Sequence, residues 1–167
     1  MALKPDRNIT NGTDISFFLN HTVERGGVVV HSTSGSGSAM DQASASVVGT
    51  GNASSGTFPA GLLLNDMVNK DLTQQHINWH KDEVQLGGKV AVLRRGTVVT
   101  NVVLSTDEPH AGSGAYYTVE NFGGVTSVFV LAVENPTDET TELARHRVGT
   151  FLSSKDEDGY VKIEINI

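Results

Sequence analysis

A chain of 167 residues is long enough for one domain with a full core and short of what two ordinary domains need. It has no cysteine, which excludes disulfides, thiolate metal sites and a cysteine nucleophile. Its formal charge of -7 argues against the basic face that a phosphate-neutralising protein presents, so no direct nucleic-acid partner is expected.

Hydrophobic residues make up 38% and charged residues 19%, while 18 glycines with many Ser and Thr fill the difference, the composition of a turn-rich β protein. No apolar run approaches the roughly 20 residues that cross a bilayer, and the segment from Met1 to Arg7 lacks the apolar centre of a signal peptide. No membrane partner is expected, and synthesis in the cytoplasm is. The sequons at Asn8, Asn11, Asn20 and Asn52 are the chance product of a Ser/Thr-rich chain and are expected to carry no glycan.

In chain order, residues 1–26 are polar and irregular apart from the apolar patch Ile15, Phe17, Phe18 and Leu19, which has no helical period around it. They read as an N-terminal arm with one adhesive segment. Val28 to Val30 predict a strand. Residues 31–57 form a Ser/Gly/Ala-rich tract too poor in apolar residues to offset the entropy of ordering alone. The tract is either mobile, or ordered on a partner, or a wide hairpin if Val47 and Val48 mark a strand within it.

Leu62 to Leu64 predict a short buried strand, and Gln74 to Glu83 a polar stretch around the single tryptophan, Trp79. Lys89 to Leu104 reads as two strands joined by a tight turn at Arg95 and Gly96, both apolar on both faces and therefore central. Residues 105–126, with Pro109, several glycines and the pair Tyr116 and Tyr117, read as a long loop. Ser127 to Val133 predict a strand that Asn135 and Pro136 end. At the C-terminus Val161, Ile163, Ile165 and Ile167 alternate with polar residues, the signature of a half-buried strand, after a turn over Asp156 to Gly159. The helix candidates are Asn65 to Gln75 and Thr140 to His146, both short.

Chemical motifs fail on their essential members. Gly51 and Gly56 have the spacing of a phosphate loop, but Thr57 and Phe58 stand where Lys and Ser/Thr must be. Gly35 and Gly37 follow a strand as in a dinucleotide-binding turn, but Met40 replaces the third glycine. His76 and His80 are four apart without the glutamate of the zinc-protease pattern or a visible third ligand. Asp82 and Glu83, like Asp107 and Glu108, are sequence neighbours that point to opposite sides of an extended chain. Asp156 to Gly159 resembles the start of a calcium loop without its remaining ligands. No catalytic residue, cofactor or metal site is expected. Trp79 is read as a core or interface anchor.

The order of several segments, however, resembles a known family: Lys4 to Arg7, Asp14 to Leu19, Glu24 to Val29, Gly61 to Val68, His76 to Glu83, Gly87 to Val90, Val148 to Leu152 and Asp156 to Val161. Together they are similar to the decoration, or cement, proteins of tailed-bacteriophage heads, over most of the chain. The resemblance implies a β-barrel or β-sandwich domain with a terminal arm, and with the residue pattern the expectation is an all-β fold: a single Gly-rich domain over 27–167, an extended arm over 1–26, and at most one or two short helices. It implies a structural, non-enzymatic virion protein on the capsid exterior, commonly a homotrimer, whose partner is the major capsid protein.

On that reading Ile15, Phe17, Phe18 and Leu19 are the capsid-binding arm and Trp79 an interface anchor. Coupled ordering of the arm on a large assembly, with multivalent attachment by a symmetric trimer, fits an acidic, Gly-rich β domain. Two other classes stand beside it. One is a tail-associated or carbohydrate-binding β module using Tyr116, Tyr117 and Trp79 as stacking residues; the other is a small β hydrolase using His76, His80 and nearby carboxylates.

Overall fold

The computed structural model describes residues 3–4, 12–19, 21, 23–32, 46–51, 58–67, 83–84, 89–133 and 146–167. Among them the chain is all-β, as expected, with no helix and twelve strands. In order these are β1 (Leu3–Lys4), β2 (Gly12–Leu19), β3 (Val23–Glu24), β4 (Val28–His31), β5 (Ser46–Val48) and β6 (Pro59–Met67). There follow β7 (Glu83–Val84), β8 (Lys89–Thr100), β9 (Gly114–Phe122), β10 (Val125–Val133), β11 (Gly149–Phe151) and β12 (Val161–Asn166).

The hydrogen bonding closes into two circuits that share β8. In the first, β8 pairs β2, β2 runs parallel to β5, β5 pairs β4, β4 pairs β6, and β6 returns to β8. In the second, the far half of β8 pairs β12, which pairs β11, then β9, then β10. The chain leaving β8 closes this circuit, with the Leu131 amide donating to the Val102 carbonyl at 3.0 Å and the Leu104 amide to the Leu131 carbonyl at 2.7 Å. Such closure satisfies the backbone groups that an open edge would leave exposed.

Each circuit has its own filling. Leu19, Val23, Val29, Val47, Ala60, Leu63, Val90 and Val92 pack together, drawn from β3 and all five strands of the first circuit. The larger core gathers Tyr117, Phe129, Leu131, Phe151, Val161, Ile163 and Ile165 against Val28, Val30, Leu62 and Leu93. Strands β4, β6 and β8 thus present alternate residues to two cores. This is why their sequences are continuous apolar runs and not polar-apolar alternations. A third cluster, Val102, Val128 and Val130, covers the other face of β10.

Four expectations are corrected. Arg95 and Gly96 are not a turn: β8 runs unbroken from Lys89 to Thr100, and Gly96, at φ 145, lies where the pairing passes from β2 to β12. An extended backbone at positive φ is open to glycine, so the residue that suggested a reversal instead lets one long strand serve both circuits. The predicted loop over 105–126 contains β9, which forms a hairpin with β10 turned by Gly123 and Gly124 at φ 59 and φ 80. Two consecutive residues at positive φ match the right-handed twist of the flanking strands.

The N-terminal segment is not a free arm, because β2 and β3 lie inside residues 1–26 and pair with β8 and β7. The division at residue 26 therefore cuts through the first circuit. Finally, Asn65 to Met67 of the first helix candidate belong to β6; the rest of that candidate, and 140–145 of the second, lie outside the described residues. At the described ends of the 31–57 tract β4 and β5 pair antiparallel, Val30 with Val48 and His31 with Val47.

Candidate interaction surface

The predicted capsid-binding residues sit on β2, and the strand splits them between roles. Leu19 is 1% exposed in the filling of the first circuit, so it is a core residue and not a surface anchor. Phe17 and Phe18 are half-buried, as successive strand residues on opposite faces would be. Phe17 packs against the same core and meets the His31 ring edge-on, with centroids 5.2 Å apart. Ile15 lies on β2 within a register shift against β8 that spans Asp14 to Phe17, the second after one between Gly12 and Thr13. Trp79, His76 and His80 lie outside the described residues.

The largest exposed apolar side chain among the described residues is one that sequence reading missed. Phe58, 57% exposed, lies against the half-buried His146, ring centroids 4.9 Å apart, and its carbonyl accepts the His31 amide at 2.9 Å. The Phe17–His31 and Phe58–His146 ring pairs are thus connected through a backbone hydrogen bond between β4 and the residue that precedes β6. The available signal was Phe58 itself, a bulky apolar residue between a Ser/Gly tract and Pro59.

At the edge of the second circuit the connection after β8 is held from two sides. Glu120 accepts the Ser105 amide at 3.0 Å and also its hydroxyl, while the Lys155 ammonium donates to the carbonyls of Leu104 and Ser105 at 3.1 and 3.3 Å. Asp107 accepts the amide of Val133, the last residue of β10, at 2.6 Å. Its pKa is raised, chiefly because burial disfavours the charge; the Val133 amide and Lys155 oppose this, and Glu120 adds to it. These groups are spent on backbone partners.

Among the described residues, no three His, Asp or Glu side chains are grouped to hold a metal ion. The Asp156 carboxylate accepts the amides of Asp158 and Tyr160 at 3.0 and 2.7 Å, the self-contained turn that its sequence suggested. Tyr117, offered as a ring for stacking a sugar, is fully buried and packs edge-on against Phe129 with centroids 5.7 Å apart. That role is corrected: a ring with no exposed face cannot receive a ligand. Tyr116 is half-buried. No helix among the described residues is long and apolar enough to cross a membrane.

Comparison with protein-family models and with curated proteins finds no match to this chain.

Proposed function

We propose that this protein is a structural component of a phage virion that binds the outer surface of an icosahedral capsid and stabilises it, acting as a homotrimer on the major capsid protein. The observation that carries the reading is the run of segments, from Lys4 to Val161, that resembles head-decoration proteins. The fold supports it in one respect. Both strand circuits are filled by buried side chains, while Phe58, beside His146, presents the most exposed large apolar ring described.

A rigid, closed β body attached at many symmetric positions stabilises a shell by mass action, because it binds the expanded form and not its alternatives. Each contact can then be individually weak. The test is sedimentation of purified protein with expanded phage heads, together with solution mass by light scattering. A trimer that pellets with heads is expected. A protein that stays in the supernatant at concentrations well above those of the shell sites would overturn the proposal.

A further inference from the structure

We draw no further inference here: the strongest candidate, the exposed surface patch formed by Phe58 and His146 beside Phe17 and His31, is an apolar face for which nothing in the structure shows what covers it.

Discussion

Phe58 and His146, 88 positions apart in the chain, meet with ring centroids 4.9 Å apart and planes tilted by 40°, the phenylalanine ring 57% open to solvent. An apolar ring held in place yet left exposed contributes little to folding, because most of its surface never leaves water. Replacing it with alanine is expected to change unfolding free energy by less than about 1 kcal/mol, within the range of surface substitutions. If the patch contacts a capsid, Phe58→Ala weakens head binding by about 1–2 kcal/mol per contact, as buried aromatic anchors do. Chemical denaturation paired with head sedimentation separates the two effects. Unchanged sedimentation would remove Phe58 from the interface.

Leu19 behaves in the opposite way. It lies at 1% exposure among Val23, Val29, Val47 and Leu63, so truncation leaves a cavity between strands that close on one another. Leu19→Ala is expected to cost about 2–5 kcal/mol by denaturant unfolding. Deleting residues 1–26 removes β2 from the first circuit and is expected to abolish cooperative unfolding instead of leaving a folded domain. A cooperative transition in the truncated chain would show that β2 is dispensable and restore the detachable-arm reading.

The contrast between those residues shows what the sequence could reveal. Val161 to Ile167 and Val28 to Val30 were legible because strand periodicity and short apolar runs report burial directly. The Phe17 to Leu19 patch was legible as apolar but not as core, since its partners, Val90 on β8 and Val47 on β5, are remote in sequence. Gly96 misled because glycine marks both turns and kinks, and only the pairing of β8 with β12 on its far side distinguishes them. Tyr116 and Tyr117 sat among glycines and a proline, which masked β9. The patch at Phe58 and His146 is a product of tertiary structure alone.

Gly149 tests how closely the second circuit is drawn together. A Cβ there would stand 2.0 Å from the Glu164 carbonyl oxygen, a backbone atom fixed by the pairing of β11 with β12. No side-chain rotation relieves such a contact. Gly149→Ala is therefore expected to cost at least about 3 kcal/mol, the upper range for overpacking, and to lower the thermal midpoint accordingly. By comparison, a Cβ at Gly112 meets nothing within 4 Å, although its φ of 94 disfavours any other residue. Gly112→Ala is thus expected to cost only about 1 kcal/mol, from backbone strain. Equal losses at the two sites would refute the close approach at Gly149.

Asp107 makes stability depend on pH in a direction that its raised pKa fixes. Burial disfavours the charged carboxylate, so the folded chain holds the proton more tightly than the unfolded chain does. The resulting stabilisation is fully present below the unfolded value, 3.8, and is lost as pH rises through the raised folded value. At neutral pH the ionised group is therefore a net cost, although its oxygen accepts the Val133 amide at 2.6 Å. Asparagine keeps an acceptor oxygen without the charge. Asp107→Asn is expected to unfold at the same or higher denaturant concentration than the wild type at neutral pH, with the difference fading under acid conditions as the wild-type carboxyl is protonated. Asp107→Ala, which leaves the Val133 amide without this partner, is expected to lose about 1–3 kcal/mol, with the larger loss under acid conditions, where the wild-type carboxyl is protonated. Paired denaturation curves at neutral and acid pH decide the matter: an asparagine variant less stable than the wild type only at neutral pH would mean that the charge supports the fold.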